Sequence, residues 1–276
     1  MADTPDQVET LLLSFLGDNP KSPKQVRTAM NKRLEKSPDS AAAWTARAWA
    51  HYELEQFEDA ISDATRAIEL CGEAYLAWHV RGVAHFCLCH LEETDRDLSE
   101  AIRLSSGVEL FLEEAYLSRG GARCDTGRLE DALKDLRQCL KLAPDHAWAY
   151  LYRGNVRCRQ RQFKKAIQDF EKAIALDRDD GRPRAHLAWL LATCDDPKVR
   201  DGKRALQLAK QANKLSGDEY PGELAAAHAE LGKFKDAVKV LQPSLRNCDD
   251  ATELALRKRC LAKYEAGEPY HARWDE

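Results

Sequence analysis

Long apolar runs are absent from this chain. Its longest apolar stretches, Leu11–Leu16 and Leu187–Ala192, fall far short of the ~20 residues a bilayer-crossing helix needs, so no membrane partner is expected. A surplus of positive charge is absent too: 42 Lys and Arg stand against 46 Asp and Glu, a formal net charge of −4. Nucleic-acid binders as a rule carry a strongly basic face, so no nucleic acid is expected either. Glycine-rich phosphate loops, nucleophile elbows and paired metal-ligand motifs are missing, and no cofactor or metal is implied. The nine cysteines are an odd number in no regular framework. They read as reduced thiols, several at helix positions where Cys serves as a compact hydrophobe. The opening Met1-Ala2-Asp3-Thr4-Pro5-Asp6 lacks the basic-then-apolar order of a secretory signal. A cytoplasmic location is the expectation.

What the chain does have is a period of 34 residues. Trp44, Trp78, Tyr116 and Tyr150 mark four units, and the spacing breaks only at a four-residue insertion near Glu109–Leu112. Ala60, Thr94, Ala132 and Ala166 follow sixteen residues after each aromatic, and Ala67, Ala101, Cys139 and Ala173 seven further on. With the aromatic numbered 4, Gly82, Gly120 and Gly154 hold position 8, and large residues such as Phe57, Leu91, Leu129 and Phe163 hold position 17. Small residues let helices approach and large ones fill the gaps, which is how a close-packed interior is made. A period of about 34 with this pattern predicts an all-α, right-handed solenoid of antiparallel helix pairs. The units are residues 41–74, 75–108, 113–146 and 147–180. A variant fifth, 181–219, carries a long internal connection from Asp195 to Gly202. A degenerate sixth, 220–248, has Pro243 in its second helix, where a shortening or kink is expected. Residues 1–40 read as a helical hairpin, a degenerate repeat that caps the front, and 249–276 as a capping helix and tail.

These residues resemble the tetratricopeptide repeat family, whose pattern asks for an aromatic at 4, Gly or Ala at 8, and Ala at 20 and 27. The resemblance covers nearly the whole chain. It implies a TPR solenoid that binds other proteins; no convergent titratable site can be assembled from the residues, so an enzyme is not expected. The stretch Leu187–Cys194 and the closing Tyr264–Tyr270 are similar to a variant common in bacterial members. The family's groove positions fall here on Trp49, His79, Leu117, Trp148, Leu151, Tyr152, Asn155, Arg159, Arg182, His186 and Trp189, with Thr45, Tyr52, Val83, Phe86 and Cys124 beside them. The face is rich in aromatics and Arg, the usual anchors of interfaces. Trp148 and Tyr152, one helical turn apart, stand out, and a peptide or helix with apolar side chains is the natural guest. The carboxylate clamp of chaperone-binding members needs Lys at 5 with Asn at 9. Here Asn155 at 9 has Leu151 at 5 and is followed by His186, so that partner class is not expected.

Position 7 is Arg47, Arg81, Arg119 and Arg153, and position 23 is Asp63, Asp97, Asp135 and Asp169. In the fifth unit both become Leu187 and Leu208, and in the sixth Leu224 and Val240. Positions that change together are expected to be partners, and the Arg fork suits a carboxylate. Each carboxylate then meets a permanent cation, which argues against acid–base catalysis. His85, Cys87, Cys89 and His90 hold ligand types for zinc or copper(I), without a second pair at the usual spacing. The basic run Arg157–Lys165 reads as a solvated face. The function expected is a non-catalytic scaffold or adaptor. A regulatory subunit of an enzyme in another chain, and self-association, are the alternatives.

Overall fold

A computed structural model describes residues 3–16, 20–105, 111–217, 219–246, 248–272 and 274. Among them are fifteen α-helices and no strand beyond one isolated bridge. The insertion expected near Glu109–Leu112 lies partly outside the described residues, and so does Gly17-Asp18-Asn19 between the first two helices. The chain forms two compact units, Met1–Pro144 and Asp145–Glu276.

The first unit holds α1 (Pro5–Leu16), α2 (Pro23–Lys36), α3 (Ala41–Tyr52), α4 (Phe57–Leu70), α5 (Tyr75–Cys87), α6 (Leu91–Leu104), α7 (Leu112–Asp125) and α8 (Leu129–Leu142). From α3 onward they pair as α3·α4, α5·α6 and α7·α8, and each pair stacks on the next through α4·α5 and α6·α7. The second helices bury a narrow stripe, in α4 Ala60, Asp63, Ala64 and Ala67. The first helices are buried on more sides, as α3 shows from Ala41 to Ala50. Small side chains set the spacing inside a pair. A Cβ added at Gly82 would lie 2.6 Å from Leu98 Cδ2, so only hydrogen fits there without a shift.

Each turn within a pair closes in one way. Gln56, His90 and Arg128 donate a backbone N–H to the carbonyl five residues back at 2.8–2.9 Å, around a left-handed residue at position 15. That is a Schellman closure, which satisfies carbonyls the helix end leaves open. Gly127 holds this place in the third unit, but Glu55 and Cys89 hold it in the first two, with φ of 57° and 58°.

The front of the chain departs from the expected hairpin. α2 packs on α3, but α1 packs on α3 and α5, the first helices of two repeats. The reason lies in its stripe: Val8, Leu12 and Phe15 are buried, in one cluster with Ala42, Trp49 and Tyr75.

The second unit holds α9 (Ala147–Arg159), α10 (Phe163–Leu176), α11 (Arg182–Thr193), α12 (Gly202–Ser216), α13 (Pro221–Glu230), α14 (Phe234–Ser244) and α15 (Ala251–Glu265). Pairs α9·α10, α11·α12 and α13·α14 repeat the arrangement. Pro243 sits in the last turn of α14, which stops one residue later. α15 closes the end against α14 and α13, burying Cys260, Leu261 and Tyr264. The chain then returns along the unit. Ala272 donates its N–H to the Thr193 carbonyl at 2.7 Å, Tyr270 rests on Trp189 and Trp274 meets Phe163 edge-on.

Candidate partner-binding faces

Four carboxylates lie deep in the repeats, each beside a guanidinium. Asp63, Asp97, Asp135 and Asp169 are 0–6 % exposed. Each takes two parallel hydrogen bonds from the Arg at position 7, at 2.6 and 2.8 Å for Arg47–Asp63, 2.6 and 2.9 Å for Arg81–Asp97, 2.9 and 2.7 Å for Arg119–Asp135, and 3.0 and 2.7 Å for Arg153–Asp169. The guanidinium also lies over the aromatic at position 4, from 4.5 Å at Trp44 to 5.7 Å at Tyr116. In three units its remaining arm reaches the preceding second helix, at Asn31, Thr65 or Ser99. A further partner was not read from the sequence. Position 11 turns a second cation or imidazole to the same carboxylate. Arg123 and Arg157 bond Asp135 and Asp169 at 2.8 and 2.6 Å, and His51 and His85 stand 3.7 and 3.9 Å from Asp63 and Asp97. The signal was present, since position 11 is basic or His in all four units. These clusters pair each buried carboxylate with a fixed cation and tie neighbouring helices together.

The first-helix face of the second unit holds most of the residues expected as anchors. Trp148 and Tyr152 on α9 are half-buried, with ring centroids 6.1 Å apart. Arg182, exposed at the start of α11, lays its guanidinium 3.6 Å from the centre of the Trp148 ring. Asp180 aims it, accepting from Arg182 Nε at 2.8 Å and from the Arg182 amide at 2.9 Å. One turn on, exposed His186 stacks on Phe170 at 6.0 Å. Asn155 and Arg159 continue along α9, half-buried. Two residues of this set differ from expectation. Leu151 is 3 % exposed and belongs to the core. Trp189 is half-buried, and Tyr270 of the returning tail rests on it at 6.1 Å. The tail has no helical periodicity to reveal where it docks.

The corresponding face of the first unit is covered. Trp49 and His79 are 8 % and 4 % exposed, so neither is open to a partner in this structure. Thr45 and Val83 are buried as well, and Leu117 and Phe86 half-buried. Trp49 shares its buried cluster with α1, and Phe111, left-handed ahead of α7, stacks on His79 at 5.4 Å. Burial without a hydrogen bond to either ring nitrogen lowers the His79 pKa to about 4, so this imidazole is neutral at pH 7. Beside it Tyr52 donates its hydroxyl to Glu114 at 2.9 Å.

Among the described residues no three His, Cys, Asp or Glu side chains are placed to hold a metal. His85 and His90 turn their Nδ1 atoms to one another at 3.1 Å, while Cys87 and Cys89 are exposed. The basic run 157–165 borders a cavity of about 690 Å³ floored by Phe163, Ile167 and Leu191. Arginines on that cavity are paired, Arg161 with Asp195 at 2.8 Å, Arg200 with Glu230 at 2.9 Å, and Arg204 with Glu171. No helix among the described residues is long and apolar enough to cross a membrane.

Two profiles of the tetratricopeptide repeat match the sequence, over residues 25–86 and 111–179. No curated protein matches. Among solved structures, the chain is similar to a chain of the APC/C hetero-tetramer Cut9-Hcn1, with 17% identity and a TM-score of 0.68 over 92% of this chain and 48% of that one. It is also similar to PilF of Pseudomonas aeruginosa, with 16% identity and a TM-score of 0.60 over 87% of this chain and 99% of that one. A third is YrrB, described as a TPR protein with an unusual peptide-binding site, with 18% identity and a TM-score of 0.56 over 73% of this chain and 97% of that one. At these identities the likeness speaks for the fold.

Proposed function

For this chain, a member of the tetratricopeptide repeat family, we propose a non-catalytic scaffold that holds a peptide or helix of another protein on the first-helix face of its second unit. The observation that carries this reading is the anchor at Trp148. Its ring, the Tyr152 ring and the Arg182 guanidinium form one cluster that is only partly buried. Large rigid aromatics with an Arg are the residues on which interfaces concentrate their energy. A pre-aimed guanidinium also loses little freedom when a guest arrives. Solved relatives of the fold include one whose printed description names a peptide-binding site. Cys71, Cys87, Cys89, Cys139, Cys194, Cys248 and Cys260 carry free thiols, which fits a reducing, cytoplasmic setting.

The test is selection from a displayed peptide library, repeated on a Trp148→Ala/Tyr152→Ala variant whose circular dichroism matches the parent. Binding at least about tenfold weaker on the variant is expected, the loss that follows from removing a central anchor. Selected peptides that bind both proteins equally would defeat this placement of the site.

A further inference from the structure

We propose that the cavity between the turn of the fourth repeat and the long connection of the fifth is a second docking site, one for an acidic segment of a partner protein with an apolar side chain among its carboxylates. It rests on the reading of the chain as a scaffold but concerns the turn edge of the second unit, not its first-helix face.

The cavity exists where the chain departs from its period. Residues 160–162 join α9 to α10, whereas residues 194–201 join α11 to α12. The longer connection forms one wall, and its own bonds hold it. Lys198 donates its amide to Asp196 Oδ1 at 2.9 Å, Val199 to the Asp196 carbonyl at 3.0 Å and Asp201 to the Leu191 carbonyl at 2.9 Å. Arg200 Nη1 donates to the Cys194 carbonyl at 2.7 Å. A wall fixed beforehand leaves a guest little ordering to impose. The space, about 690 Å³, falls in the ordinary range of ligand sites. Phe163 and Leu191 form its floor, with Ile167 and Val199 half-buried beside them.

The charge around the cavity selects the guest. Arg161, Lys164, Lys165, Lys198, Arg200 and Arg204 line it against two acids, Asp196 and Asp201, in a chain of net charge −4. The arginines are already matched, by Asp195, Glu230 and Glu171. The three lysines are not. They are exposed, and among the described residues no carboxylate pairs with them. Lys165 Nζ donates to Gln162 Oε1 at 3.2 Å, a neutral partner. Two of the lysines also break the repeat. The equivalent places hold Glu58 and Asp59 in the first repeat, Glu92 and Glu93 in the second, and Glu130 and Asp131 in the third. Acids suit the start of a helix, and lysines do not. That unfavourable charge falls on the cavity rim, where an acidic guest complements it. Phe163 is 7 % exposed, with Trp274 edge-on against it, too little open face to stack a nucleobase. Carboxylates on a peptide are therefore favoured over phosphates on a nucleic acid.

The test selects a displayed library of random peptides on a Trp148→Ala/Tyr152→Ala chain, from which the first-helix anchors are gone. Peptides that combine Asp or Glu with Phe, Leu or Ile are expected, and their dye-labelled forms are titrated by fluorescence anisotropy. Lys164→Glu/Lys165→Asp gives the fourth repeat the acids of the first and third, so its fold is not at risk. It is expected to weaken binding at least about tenfold. The same peptides with Asn and Gln in place of Asp and Glu are expected to lose as much. No enriched peptide, an enriched set without acids, or equal binding to the Lys164→Glu/Lys165→Asp chain would overturn the proposal. Binding of a single-stranded oligonucleotide in place of any peptide would assign the lysines to a nucleic acid and overturn it too. Peptides that bind the parent and are lost with Trp148 and Tyr152 belong to the other site and bear on that reading alone.

Discussion

Asp97 shows how much one side chain does in these repeats. It is fully buried, gripped by Arg81 through two hydrogen bonds and approached by His85. Removing the carboxylate leaves a cation without its partner, and Asp97→Ala is expected to cost about 3–5 kcal/mol in urea unfolding. Apolar residues fill the same two positions in the fifth unit, where Leu187 and Leu208 join the core cluster. Arg81→Leu/Asp97→Leu together should therefore recover most of that loss, since replacing a buried pair outright is often close to neutral. Gly154 is equally constrained: a Cβ there would come 2.5 Å from Phe170 Cε1, and Gly154→Ala should cost about 1–3 kcal/mol by overpacking. His79 ties stability to pH. Its pKa is lowered in the fold to about 4, so the unfolded chain takes up the proton first. Stability is then level above the ordinary value near 6.5 and falls as pH drops from there toward 4. A urea midpoint that falls between pH 7 and 5 in the parent, and falls less in His79→Phe, is the expected result.

The helix pair is governed by its turn. All four full repeats place a left-handed residue at position 15, yet only the third uses glycine; Glu55, Cys89 and Arg161 adopt φ of 57–58° instead. An L side chain pays roughly 1–2 kcal/mol for that conformation. Cys89→Gly should stabilise the chain by up to about 1 kcal/mol, read as a higher thermal midpoint, because glycine's extra freedom in the unfolded chain takes back part of the gain. These turns also explain why position 11 was missed. The period marks it as basic, but its side chain reaches Asp at position 23 only once the turn has folded helix back on helix.

A stack of repeats owes its stability to neighbours, so its ends are its weakest parts. Hydrogen exchange is expected to be slowest in α5, α6, α10 and α11 and fastest in α1 and α15. Period, cap residues and small-large alternation carried the all-α repeat fold, because each unit is a local pattern and packs on its sequence neighbours. The same locality made the Arg and Asp positions readable, sixteen residues apart and changing together. The sequence did not reveal which of the first-helix aromatics stay partly exposed. Trp49 and Trp148 both occupy first helices, yet α1 shares a buried cluster with the first, while Arg182 lies on the second and leaves it half-buried. Nor could it show Tyr270 over Trp189 or Phe111 over His79. Those contacts join segments tens of residues apart, outside the repeat and with no periodicity to align them. Their geometry exists only after the stack has formed a surface for segments outside the repeat to settle on.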